Sequence, residues 1–239
     1  MKILFFTGAG ISAESGIQTF RDTDGLWNNH KIDEVCNINT WEQNKDTVFK
    51  FYSERRKHLG TVNPNAIHYG IAELQEKLGV ENVSVVTQNV DDLLERAGVK
   101  NVIHVHGFLT EMKCTKCGHI FDVGYTDNDK SLKCPECSGD TKPNIVFFGE
   151  LAPNYHFMKR KFKELNNSDY LVVMGTLGNV VNINEELDFI FGKKILNNLE
   201  KSPYINDRKF DHVLYEPGTS AILKIKDKFL NNEFIPCNI

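Results

Sequence analysis

Four of the six cysteines fall into two Cys-x-x-Cys pairs, Cys114 with Cys117 and Cys134 with Cys137, separated by sixteen residues. That spacing suits one zinc held by four thiolates. With no coordination position left for water, the ion would be structural and its binding energy would go into folding. Cys36 and Cys237 lie outside the cluster and read as small hydrophobes or incidental thiols. Near the start of the chain, Gly8, Gly10 and Ala13 match the G-x-G-x-x-G/A spacing directly after an apolar run. Small residues there permit a tight turn and let backbone N–H groups approach a pyrophosphate at the start of a helix. The acidic residue due about 20 positions on is ambiguous, with Asp33 and Glu34 both present but not ending a clear strand, and a glycine turn made only for packing stays open.

Gln88, Asn89 and Asp91 follow the run Val85-Val86-Thr87. Ligands of open α/β sheets bind at strand carboxyl ends, although one of the three is expected to cap the next helix. His106 follows the apolar stretch 102–105; an imidazole pKa of about 6.5 leaves a neutral fraction able to accept a proton. A hydrogen-bonded structural role is the alternative for any of the eight histidines, and it is the reading taken for His104. Tyr52 and Arg55 stand at i and i+3 of a helical pattern and share a face, the alternative being a solvated basic face of Arg55, Arg56 and Lys57.

These residues need a scaffold, and composition allows one. The 239 residues are 41% apolar and 25% charged, ordinary for a globular chain with a sizeable core, and the net charge of −4 gives no basic footprint for nucleic acid. No run approaches the roughly 18 apolar residues that span a bilayer, and the apolar start is too short for a signal-peptide core, so no membrane partner and a cytoplasmic protein are expected. The sequence leaves the oligomeric state open, with a monomer as the default. β-rich runs at 3–6, 83–87, 102–105, 145–148, 171–174, 194–196 and 213–215 alternate with helical patterns at 64–78, 91–97, 155–166, 185–191 and 220–230. Such alternation predicts an α/β fold, a Rossmann-like parallel sheet with helices on both faces. Two segments interrupt it: a helical pattern over 40–59, with a capping box at Thr40 and Gln43, and the cysteine-bearing stretch 108–143. Both are placed in a small helical and zinc-binding domain, 36–60 with 108–143, beside a large domain of 1–35, 61–107 and 144–239.

In order and spacing, the glycine-rich start, Gly16-Ile17-Gln18-Thr19-Phe20-Arg21-Asp22, Thr87-Gln88-Asn89-Val90-Asp91, His104-Val105-His106-Gly107, the cysteine quartet and Phe147-Phe148-Gly149-Glu150 resemble the sirtuin family of NAD-dependent protein lysine deacylases. The resemblance covers nearly the whole chain. It implies that NAD is consumed as co-substrate, held by Gly8, Ala9, Gly10, Ile11, Ser12, Phe20, Arg21, Gln88, Asn89 and Asp91, then by Gly175, Thr176 and Leu177, with Asn198, Leu199, Glu200 and Gly218 at the adenosine end. It further implies that the acyl-lysine oxygen attacks the anomeric carbon as nicotinamide leaves. His106 then acts as general base for a ribose hydroxyl, and the acyl group ends on ADP-ribose. An acylated protein segment would pair as an added strand along Val146 to Gly149, with Val146 and Phe148 binding substrate.

Phe51-Tyr52-Ser53-Glu54-Arg55-Arg56 resembles the subgroup that removes negatively charged acyl groups, so Tyr52 and Arg55 would clamp the carboxylate of succinyl- or malonyl-lysine, acetyl remaining a substrate. The sequence departs from the family at Leu177, where a serine is usual, and at Asn182, where a proline is usual but where Asn can cap the helix itself. Loss of one neutral hydrogen bond at Leu177 would cost about 1 kcal/mol. ADP-ribosyl transfer to protein or plain NAD hydrolysis on the same scaffold is the alternative activity.

Overall fold

The computed structural model describes residues 1–19, 26–27 and 30–233. In chain order the first elements are β1 (Ile3–Thr7), α1 (Gly10–Ala13), β2 (Leu26–Trp27), β3 (His30–Lys31), α2 (Ile32–Val35), α3 (Lys45–Leu59), α4 (Ala66–Leu78), β4 (Val83–Thr87), α5 (Leu93–Arg96) and β5 (Val102–His104). There follow β6 (Gly107–Cys114), β7 (Ile120–Asp122), β8 (Thr141–Ile145), α6 (Tyr155–Lys163), β9 (Tyr170–Met174), α7 (Ile183–Leu187), β10 (Lys193–Asn198), β11 (His212–Tyr215) and α8 (Gly218–Leu230).

Every residue of β1 and β9 is buried, as expected of strands covered on both faces, and their side chains alternate between two cores. Ile3 and Phe5 of β1 meet Ile67 and Ile71 of α4 and Ile222 and Ile225 of α8 on one face. Leu4 and Phe6 meet Met158 and Phe162 of α6 and Ile183 and Leu187 of α7 on the other. The six strands pair in parallel in the order β11-β10-β9-β1-β4-β5. The chain thus builds outward from β1 to one edge, then returns to β9 on its other side. The carboxyl ends of β1 and β9 are the switch point where such sheets open a crevice.

Beside this sheet, β7-β6-β8 form a small antiparallel sheet. It shares a third core with α3, in which Val48, Phe51, Tyr52 and Leu59 pack with Leu109, Ile145 and Phe147. The 145–148 run is therefore not a strand of the parallel sheet. Only Ile145 is in a strand, β8, and Phe148 makes a single bridge to Asn37. Apolar residues are needed here by the third core, and the run's composition does not distinguish the two uses. Helix α3 begins at Lys45 rather than Thr40, and the expected capping box is not made because Thr40 Oγ1 turns to the carbonyls of Asp33 and Asn37. Asn182 does stand at the start of α7, yet its side chain donates to Glu185 Oε1 at 2.7 Å instead of accepting a backbone N–H. Helix α7 ends at Leu187, short of the expected 191, with Phe189 and Phe191 exposed.

The cysteine sulfurs of 114, 117, 134 and 137 lie within 4.8 Å of one another. Sγ separations of 3.5 Å (114 to 137), 3.8 Å (117 to 134) and 3.4 Å (137 to 117) are far too long for disulfides. They approach the edge of about 3.8 Å of a tetrahedron drawn on Zn–S bonds of about 2.3 Å. The N–H groups of Lys116 and Cys117 both point at Cys114 Sγ at 3.4 Å, which favours the thiolate. A side chain at Gly139 would press on the sulfurs of Cys114 and Cys137, its Cβ 3.2 Å from each. The donor set thus fits one structural zinc. Chelation at pH 7 is expected to remove one zinc per chain and lower the melting temperature, as read by metal analysis and thermal melts; a verified zinc-free protein that melts unchanged contradicts this.

Candidate active site

A cavity of about 500 Å³ lies where the carboxyl ends of β1, β4 and β9 face the small lobe, a size suited to a small-molecule ligand. Glycines shape its floor. A Cβ on Gly8 would fall 2.7 Å from the Gly175 carbonyl oxygen, and one on Gly10 2.7 Å from Gly175 Cα. Gly175 itself sits at φ +65°, where a side chain is strained and would strike Ile11 N. The N–H groups of Gly8 and Gly10 donate to the Met174 and Gly175 carbonyls at 3.0 and 2.8 Å. These two amides therefore close two loops on each other, which favours the packing alternative for them, and α1 is only a single turn. Ala9 and Thr176 join these glycines in the lining, as does Leu177.

Behind the glycine loop lies a buried polar network. Ser12 Oγ donates to Asp91 Oδ2 at 2.9 Å and accepts from Asn89 Nδ2 at 3.0 Å. Asp91 Oδ1 accepts from Leu93 N at 3.2 Å, so this is the residue that serves the helix start. Burial raises the Asp91 pKa, against the hydrogen bonds from Ser12 and Leu93. Gln88 Nε2 reaches Thr176 Oγ1 at 2.9 Å, tying β4 to β9. His68, not singled out in the sequence, completes the network: Nδ1 accepts from Asn65 N at 3.1 Å, leaving Nε2–H to point at Ser12 Oγ at 3.5 Å. The signal for it was local, a capping box in which Asn65 and His68 satisfy each other's backbone.

His106 is held by two elements. A carbonyl can only accept, so the 3.1 Å contact with Gln88 O assigns the ring proton to Nδ1. Nε2 is then the basic nitrogen, and it receives the Tyr155 hydroxyl at 2.9 Å. Burial lowers the His106 pKa below the ordinary 6.5, partly offset by the bond to Gln88. The ring is accordingly a neutral base at pH 7. His104 contrasts with it: its nitrogens contact Asn89 O at 2.7 Å and Glu95 Oε1 at 2.8 Å. Burial pulls its pKa down, but the Glu95 carboxylate and the hydrogen bonds outweigh this and raise it, giving a structural ion pair.

Arg55 is half-buried in the cavity wall beside Cys36, a residue the sequence marked as incidental. Tyr52 does not reach the cavity. It is wholly buried and stacked on Phe147 with ring centroids 6.0 Å apart, and burial pushes its pKa up. The solvated basic face is not found, because Arg56 turns inward to Ser53 Oγ at 2.8 Å and Thr126 O at 3.2 Å. Val146 and Phe148 line the cavity, joined by Tyr155 from α6, which no local pattern announced. Asn198 is buried at the end of β10 and donates to Thr176 O at 2.8 Å, whereas Leu199 and Glu200 are exposed and Gly218 opens α8 against Ile67. Asp33 is exposed and accepts from Asn37, so it does not end a strand facing the crevice. Phe20 and Arg21 lie outside the described residues. Among the described residues, the buried Oδ1 atoms of Asn89, which lines the cavity, and of Asn198 have no protein donor.

The Sir2 family model matches residues 8–182. The chain is 45% identical to an NAD-dependent protein deacylase of Helicobacter hepaticus, covering 95% of this chain and 96% of that one. It is 44% identical to one of Campylobacter jejuni, covering 94% of each. Among solved structures, a Sir2 homologue–NAD complex superposes with a TM-score of 0.83 at 32% identity, covering 97% of this chain and 90% of that one. Sir2Tm bound to a propionylated peptide does so at 0.77 and 26%, covering 95% and 93%.

Burial drives the His68 pKa to about 4 from the ordinary 6.5. Between those values the unfolded chain binds a proton that the folded one refuses, so this stability is complete above pH 6.5 and is lost as pH falls. Urea unfolding is expected to show a loss of about 2 kcal/mol between pH 7.5 and 5 that His68→Gln, which can still accept from Asn65, diminishes. Parallel pH profiles for parent and variant would contradict the assignment.

Proposed function

This chain belongs to the Sir2 family and is an NAD-dependent protein deacylase, and from that premise we propose that it removes succinyl and malonyl groups from lysine as well as acetyl. The observation that carries this is the position of Arg55, a cationic residue in the lining of a cavity whose neighbouring wall is the apolar segment Ile145 to Phe148. An acetyl group offers such a cation nothing, whereas a distal carboxylate can accept a charge-assisted pair of hydrogen bonds. Tyr52 acts at one remove, stacked from behind on Phe147, which lines the pocket.

NAD supplies an anomeric carbon from which nicotinamide can leave. The chain's own residues do the rest. Ser12, Gln88, Asn89 and Asp91 orient the nicotinamide ribose, with Asn89 Oδ1 as a hydroxyl acceptor, and the paired glycine loops with Ala9, Ile11, Thr176 and Leu177 bound the pyrophosphate. Asn198, with Leu199, Glu200 and Gly218, serves the adenosine end, and Phe20 and Arg21 belong to the same cofactor-binding set. His106 is the general base, its Nε2 accepting the ribose hydroxyl proton. Val146 and Phe148 flank the acyl-lysine and offer backbone to the substrate strand. In this reading 1–35, 61–107 and 144–239 form the NAD-binding domain, and 36–60 with 108–143 carry the clamp and zinc.

Arg55→Met is the discriminating substitution. Removing a charged hydrogen-bond partner costs about 2 kcal/mol, so kcat/KM for succinyl-lysine peptide is expected to fall about 30-fold with acetyl-lysine little changed. Equal loss on both sinks the clamp. Mass spectrometry of the parent reaction should show O-acyl-ADP-ribose; free ADP-ribose alone would instead indicate NAD hydrolysis.

A further inference from the structure

Nothing in the general-base reading accounts for Tyr155. Its hydroxyl stands 2.9 Å from His106 Nε2, the one nitrogen left to take a proton. Neutral imidazole has a single in-plane lone pair there, so phenol and ribose hydroxyl cannot both donate to it. Either the phenol gives way or the proton travels through it.

The fold argues against its giving way. Tyr155 is the first residue of α6, and the residue before it, Asn154, donates from Nδ2 to the His104 carbonyl at 2.7 Å. That bond moors the helix start to the segment that carries His106. The Tyr155 ring is half-buried against the core under β1 and β9, its centroid 5.8 Å from that of His106. At the same time Tyr155 lines the cavity. A phenol oxygen can donate one hydrogen bond and accept others simultaneously, and burial raises its pKa, which keeps it protonated at pH 7.

We propose that Tyr155 is a catalytic proton relay between the ribose hydroxyl of bound NAD and His106. The proposal rests on His106 being the general base. As the ribose oxygen forms its bond to the acyl carbon, the π bond from that carbon to the lysine nitrogen opens and its electron pair goes to nitrogen. In the same step the ribose proton passes to Tyr155 Oη and the Oη proton passes to Nε2. The phenol ends neutral, the imidazole becomes imidazolium, and no net charge rests on the tyrosine. Nicotinamide departure precedes this transfer and does not need it.

Tyr155→Phe removes one oxygen and keeps the ring, so the melting temperature is expected to stay near that of the parent. The two halves of the reaction are then measured on the same acyl-peptide: incorporation of labelled nicotinamide into NAD for the first, O-acyl-ADP-ribose formation for the second. The relay predicts that product formation falls about tenfold or more while exchange is retained, raising their ratio by the same factor. A proportional fall in both would make the residue part of the packing, and unchanged or faster product formation would make the phenol a bystander or a cap on the base; each overturns the relay. His106→Ala, run alongside, is expected to lose product formation more severely. If it does not, the general-base reading fails and the relay with it, whereas a silent Tyr155→Phe beside an inactive His106→Ala removes the relay alone.

Discussion

A backbone carbonyl cannot donate a hydrogen bond, and the chemistry available to His106 follows from that. Gln88 O takes Nδ1–H, so the lone pair on Nε2 is set by main-chain geometry and not by a titratable neighbour. The two residues are brought together by sheet register. Val105 N donates to Thr87 O at 2.9 Å, continuing the parallel pairing of β4 with β5, and the next residue of each segment is Gln88 or His106. On the far side, Val146 N donates to His106 O at 2.9 Å, which ties the same residue to the segment 145–149 of the cavity wall. Shifting either strand by one position would turn the ring to the wrong face.

The rest of the site depends on a second constraint, the close approach of β1 and β9 beyond their carboxyl ends. Gly8 and Gly10 touch Gly175 backbone to backbone, so no side chain rises from the floor of the crevice at these three positions. The small lobe forms the opposite wall. The third core packs α3 against Phe147 in the wall that carries Arg55 and Phe148, and a zinc held by the four thiolates would add its binding energy to the folding of the lobe.

Much of this was legible from residue types and order. The buried strands β1, β4 and β9 announce themselves as apolar runs, and the cysteine spacing and the polar residues after β4 are local patterns. What was not legible depends on distant contacts. Ile145 to Phe148 reads as a sheet strand because a buried loop in the third core needs the same apolar composition. Thr40 is a local exception: it reads as a helix start because its type suits a cap, yet its hydroxyl turns back to the carbonyls of Asp33 and Asn37, seven and three residues earlier. Tyr52 shares a helix face with Arg55, yet only packing against Phe147 decides that it stays behind the wall. Tyr155 lies 49 residues along the chain from His106, and only the folded sheet brings the two together.

The state of one imidazole tests the account most directly. Protein labelled with ¹⁵N-histidine, observed by NMR at pH 7 and assigned by comparison with His106→Ala, is predicted to show His106 as the neutral tautomer protonated on Nδ1 with an unprotonated Nε2. A ring protonated on Nε2, or an imidazolium at that pH, would contradict it.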